Sequence, residues 1–268
     1  MDSNLKSRLV TALIGIPLLI ALVGWGSLWL FVAVCFLLTV AALREYFAMV
    51  FPGRRTEQVI GILFGSVLFV ALLAREFADL EFGLSLALIV CFSTYLFVNG
   101  KLDEKLSRLT WTVLGGLYLG YLLPHWVLLF RMPRGRAWVF FLLLVIMLGD
   151  TAAYFVGRRF GSKKLAPEIS PGKTVEGAWG YVLASVAAGC FGAKVFLTEL
   201  PWLEVVLLSV LLSILGQLGD LFESWLKRVL AVKDSGTLLP GHGGLLDRLD
   251  SLIFPAVFTT TYLKVFHS

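Results

Sequence analysis

Apolar residues fill this chain in long blocks, separated by short breaks rich in Gly, Pro and charge. A helix needs about 20 apolar residues to cross a bilayer core. Nine blocks approach that length: 9–24, 27–50, 58–74, 82–98, 109–130, 137–157, 178–197, 203–226 and 251–266. Most breaks are brief, such as Gly24-Trp25-Gly26 and Pro52-Gly53-Arg54-Arg55, but 158–177 and 227–250 are longer and polar. The pattern predicts an all-α fold, a polytopic transmembrane helix bundle of about nine spans, with no internal repeat. The basic start, Met1 to Arg8, has no small-x-small cleavage site and runs into apolar sequence, so it leads into an uncleaved first span. The expected organisation is one integral membrane domain over 1–268. Within it, 1–135 is mainly scaffold and 136–268 carries the catalytic spans and cytoplasmic loops.

Composition narrows the class. Of the 268 residues, 58% are hydrophobic and 15% charged, whereas soluble domains run near 45–50% apolar and about 25% charged. That excludes a soluble globular domain, a disordered chain and a secreted disulfide scaffold. Cys35, Cys91 and Cys190 all fall in apolar runs and read as packing residues. The net charge of +5 is modest and points to membrane topology and phosphate partners, with no nucleic acid expected.

The basic residues also orient the bundle. With the N-terminus in the cytoplasm, 16 of the 23 Lys and Arg fall on the cytoplasmic side and five on the other. The break holding Arg131, Arg134 and Arg136 runs against the rule. Both long polar breaks then face the cytoplasm.

The first 130 residues hold few polar surprises. Glu45 beside Arg44 near a span end reads as an interfacial ion pair, and His125 after Pro124 as a packing residue. The second half differs. Asp150 lies inside an apolar block, where a charge costs about 2.5–3.5 kcal/mol on insertion scales. It needs a partner, an ion or access to water. Downstream, Gly157 to Pro167 and Ser170 to Gly177 form a basic, Gly/Pro-shaped loop entering a helix. Backbone N–H groups at such an entry favour phosphate, and Lys173 adds a point charge. The Gly172-Lys173-Thr174 run is not a P-loop, because Pro167 stands where its first Gly belongs. A juxtamembrane loop that meets only anionic headgroups is the alternative.

The densest cluster begins at Asp220. Asp220, Glu223, Ser224 and Lys227 follow i, i+3, i+4, i+7 spacing and share one helix face. Such a face either holds something or closes as an internal ion-pair ladder. Lys233-Asp234-Ser235-Gly236 and Pro240-Gly241-His242-Gly243-Gly244 come next, glycines that let backbone approach a ligand closely. Asp247 and Asp250 open the last helix, where the dipole also favours carboxylates as caps. Several carboxylates, several cations and a glycine turn, without a Cys/His metal pattern, point to Mg²⁺-dependent phosphate chemistry.

The stretch from Ser224 to Asp250, SWLKRVLAVKDSGTLLPGHGGLLDRLD, resembles the signature of the phosphatidate cytidylyltransferases, or CDP-diglyceride synthases. Every fixed position is met over 27 residues. GDTAAYFVGRRFG (149–161) and SPGKTVEG (170–177) are also similar to that family. The resemblance implies that CTP and phosphatidic acid react to give CDP-diacylglycerol and pyrophosphate. It implies catalytic roles for Asp220, Lys227 and Asp247, and a Mg²⁺ site of Asp220 and Asp247 with Asp250 in support. Substrate contacts are implied for Lys173, Ser224, Arg228, Lys233, His242, Gly243, Gly244 and Arg248. Asp150, Glu176 and Glu223 would support the site. The expected location is the plasma membrane, in bacteria the inner membrane, among membrane lipids. A second, monovalent cation and a homodimer are left open. Two other functions stay open: a CTP-dependent lipid kinase and an ion-coupled membrane transporter, whose sites also use intramembrane acids.

Overall fold

The computed structural model describes residues 3–73, 77–236 and 243–267. Nearly all of it is helix: α1 (Ser3–Trp25), α2 (Leu28–Val50), α3 (Arg55–Leu73), α4 (Phe77–Phe97), α5 (Leu102–Gly115), a π-helical turn (Gly116–Tyr121), α6 (His125–Arg131) and α7 (Gly135–Phe160). A hairpin of β1 (Lys164–Ala166) and β2 (Ser170–Thr174) follows, then α8 (Val175–Phe196), α9 (Trp202–Val229) and α10 (Leu246–Phe266). Among the described residues, six stretches are long and apolar enough to cross a membrane: α2, α3, Leu102–Arg131, α7, α8 and α9. Leu13–Trp25 and Glu81–Phe97 are shorter apolar helices.

Two local expectations change. The block 109–130 is not one regular helix. Its middle widens into the π turn, where the Leu122 N–H reaches back five residues to the Leu117 carbonyl at 3.2 Å. Pro124, which has no N–H, then precedes α6, a position where that lack is tolerated. The break 158–177 is not plain loop: it holds the antiparallel hairpin, with Lys164 opposite Thr174 and Ala166 opposite Ser170.

The chain divides into two compact units. The first contains Gly26–Leu128 and the described part of Asp234–Leu246. Here α2, α3 and the π turn pack through small residues. A Cβ on Gly120 would collide with the Gly65 backbone, so the close approach depends on glycine at position 120. Buried polar groups are paired across helices: the Tyr46 hydroxyl donates to the Trp111 carbonyl at 3.2 Å, and Arg108 meets Glu57 at 3.2 Å. In lipid, unpaired groups of this kind are expensive, which fixes the helix register.

The second unit contains Leu129–Lys233 and Asp247–Ser268, described as far as residue 267. Its largest helix contact is α7 on α8, and α9 packs on both. Thr174 caps α8, its hydroxyl accepting from the Gly177 N–H at 3.1 Å. The Glu176 carboxylate accepts from the Ser162 hydroxyl at 2.5 Å and from the Ser162 and Lys163 N–H groups at 3.1 and 3.2 Å. A lone two-stranded hairpin is marginal in water, so these bonds close its base, joining the residues after α7 to the first turn of α8.

Candidate active site

A cavity of about 900 Å³ opens in the second unit. Six elements line it: α7 with Asp150 and Tyr154, β1 with Leu165, β2 with Lys173, α8 with Tyr181, α9 with Gln217, Asp220 and Lys227, and α10 with Asp247, Arg248, Asp250 and Ser251. The i, i+7 spacing of Asp220 and Lys227 puts both on one face of α9, and the tight crossing of α10 brings further carboxylates to the same space. At that crossing a Cβ on Gly219 would collide with the Asp250 carbonyl.

Charges in the cavity are paired. Lys173 Nζ lies 2.6 Å from Asp220 Oδ2. Lys227 Nζ lies 2.6 Å from Asp247 Oδ1 and 2.6 Å from Glu223 Oε2. The Ser251 hydroxyl donates to Asp150 Oδ2 at 3.0 Å, and the Ser251 N–H to Asp250 Oδ1 at 2.7 Å. Ser224 donates weakly to Asp220 Oδ1 at 3.4 Å. Asp220 and Lys173 keep about a third and a quarter of their side-chain surface exposed, so an incoming anion can reach the pair. Glu223 is 1% exposed and lies behind Lys227, where it holds the ammonium in place.

Of the residues singled out from the sequence, Asp150, Lys173, Asp220, Lys227, Asp247, Arg248 and Asp250 line this one cavity. Ser224 and Glu223 support it from α9. Arg228 does not line it: one step past Lys227, it is exposed and donates to the Ile169 carbonyl at 3.1 Å, holding the hairpin loop. Lys233 is exposed and also outside the lining. Glu176 secures the base of the hairpin, as described above. Gly243 and Gly244 belong to the first unit, and His242 lies outside the described residues. Tyr181, Gln217 and Ser251 were not singled out. The Gly177, Tyr181, Ser185 series at i, i+4, i+8 was the available signal for Tyr181, because it marks one small and polar face of α8.

The donor set suits a hard divalent cation, with several carboxylate oxygens and neither Cys nor His in the lining. Among the described residues, no three His, Cys, Asp or Glu side chains converge to enclose a metal ion. Mg²⁺ commonly takes one or two carboxylates plus substrate phosphates, a mode that needs no closed protein cage.

Apolar helices surrounding a cavity of lysines and carboxylates define an integral membrane protein built to handle phosphate groups. The chain belongs to the cytidylyltransferase family, whose model matches residues 6–266. It is 40% identical to the phosphatidate cytidylyltransferase of Bacillus subtilis, over 72% of this chain and 71% of that one. It is 35% identical to the phosphatidate cytidylyltransferase of a Synechocystis species, over 93% of each chain. For the Staphylococcus haemolyticus phosphatidate cytidylyltransferase the figure is 34%, over 93% of this chain and 95% of that one.

Proposed function

We propose that this chain transfers the cytidylyl group of CTP to phosphatidic acid, forming CDP-diacylglycerol and pyrophosphate. Family membership and the named relatives support the reaction. The observation that carries the site is the pair of lysine–carboxylate contacts, Lys173 with Asp220 and Lys227 with Asp247, on a single cavity.

A phosphate oxygen of phosphatidate forms a bond to the α-phosphorus of CTP. The bond from that phosphorus to the bridging oxygen breaks, and pyrophosphate leaves with the electron pair. The nucleophile is already anionic, so the reaction needs no strong general base. Catalysis is positioning plus neutralisation of charge. Lys173 and Arg248 hold phosphate oxygens, and Lys227, oriented by Glu223, stabilises charge as it develops. A magnesium ion held by Asp220 and Asp247, with Asp250 in support, would supply further neutralisation of the triphosphate.

The topology read from the basic residues fits this assignment. Nine crossings, with Leu102–Arg131 counted as one, put the N-terminus and the hairpin on the cytoplasmic side of the plasma membrane, where CTP is dissolved. Phosphatidate enters laterally from the surrounding lipid.

The test uses purified protein in detergent with CTP, Mg²⁺ and labelled phosphatidate. The expected product is labelled CDP-diacylglycerol with an equal amount of pyrophosphate, abolished by EDTA and by Asp220→Ala. Release of CDP instead would make the protein a lipid kinase and overturn the reading.

A further inference from the structure

Glu45 lies in the half of the chain that the sequence leaves without chemistry. Adjacent residues on a helix point in different directions, and α2 turns Arg44 outward while Glu45 is 7% exposed. The expected interfacial ion pair is therefore not what Glu45 makes. Its Oε2 accepts from the Leu246 N–H at 2.9 Å and from the Ser235 hydroxyl at 3.3 Å. Two glycines of the signature stretch flank the carboxylate: a Cβ on Gly236 would lie 2.7 Å from Oε1, and one on Gly244 would lie 2.7 Å from Oε2. Gly243 adopts φ +81°, a conformation that L side chains avoid. The signature backbone thus closes around a carboxylate supplied by a helix about 200 residues away in sequence.

Leu246 is the first residue of α10, and its N–H is one of the donors that a helix start leaves unpaired. A carboxylate there satisfies the donor and matches the helix dipole. We propose that Glu45 is a positioning residue for the reaction. From α2 it caps α10, fixes the Gly243–Leu246 turn, and so sets the first helical turn that carries Asp247.

This inference rests on the proposed cytidylyl transfer for its activity readout, and hydrogen exchange at the Leu246 amide tests it without one. Glu45→Ala, Glu45→Gln, Gly236→Ala and the Glu45→Ala/Gly236→Ala double variant are purified. Each is assayed for kcat, KM and melting temperature. Glu45→Ala is expected to lower kcat about ten- to a hundredfold in folded protein, and to deprotect the Leu246 amide. Glu45→Gln keeps an accepting oxygen and restores most of both. The double variant falls less than the product of the single losses, because the atoms nearest a Cβ on Gly236 all belong to the Glu45 side chain and its truncation makes room for the methyl group. Wild-type kcat in Glu45→Ala, no rescue by Gln, or independent losses in the double variant would overturn the proposal. Should Glu45→Ala not fold, near-wild-type Glu45→Gln with a low-kcat Gly236→Ala supports it, and the reverse overturns it. If the wild type forms no CDP-diacylglycerol, the functional reading falls, while Leu246 protection in wild type and Gln but not Ala still decides the capping.

Discussion

Gly219 of α9 lies so close to the Asp250 carbonyl of α10 that a side chain there has no room. The obstacle is backbone, which cannot rotate away. Gly219→Ala must therefore push the two helices apart at the cavity. It is expected to destabilise the protein by about 1–3 kcal/mol and to lower turnover about tenfold or more. Gly216→Ala meets the Tyr181 hydroxyl and the Ile146 Cδ1, at 2.6 and 3.1 Å, which are movable ends. It should be the milder variant in both thermal melting and CDP-diacylglycerol formation.

Asp247→Asn removes a negative charge from the Lys227 ammonium but leaves Glu223 beside it at 2.6 Å. The fold should survive, giving an unchanged elution profile in detergent. Turnover should drop by about 10² or more if the carboxylate serves the reacting phosphates. Near-normal activity would remove Asp247 from the essential set.

Lys173→Met deletes the cation that faces Asp220 from β2. A residue that holds a phosphate of the bound nucleotide should show itself in substrate affinity. We expect KM for CTP to rise about tenfold, with Lys173→Arg intermediate, because a guanidinium keeps the charge but changes the geometry. Steady-state kinetics with CTP varied at saturating phosphatidate make the measurement.

Glu176→Ala should act differently from the cavity variants. It removes the acceptor for Ser162 and Lys163 and leaves the cavity charges in place. Faster amide exchange at Ser162 and Lys163 is expected, with turnover reduced by only a few-fold, about 1 kcal/mol. A loss as deep as that of Asp247→Asn would mean that Glu176 meets substrate.

The parts of the site that lie along one helix were legible beforehand. Asp220 and Lys227 share a face because 3.6 residues make a turn, and no tertiary information is needed to see it. Asp150 stood out because a lone acid in an apolar block demands an explanation. Cross-element partners were not legible. Nothing local to Lys173 specifies Asp220 as its neighbour, and nothing local to Asp150 specifies Ser251. Arg228 was given a substrate contact on the resemblance, yet one residue past Lys227 is a rotation of about 100° on a helix, enough to leave the cavity face. The same rotation separates Arg44 from Glu45. The hairpin escaped notice because strands of three and five residues carry too short an alternation to register.

The wide turn at Gly116–Tyr121 has a consequence for length variation. A π turn differs from an α-helix by about one inserted residue. Deleting one residue there would restore ordinary α geometry up to the Leu122–Pro124 turn, and the segment that follows would rotate by about 100°. Gly120 would lose its place against Gly65, and a bulkier neighbour would be driven into the α3 backbone. Surface loops in general gain or shed a residue at little cost, but this six-residue segment is a fixed spacer whose count is part of the fold.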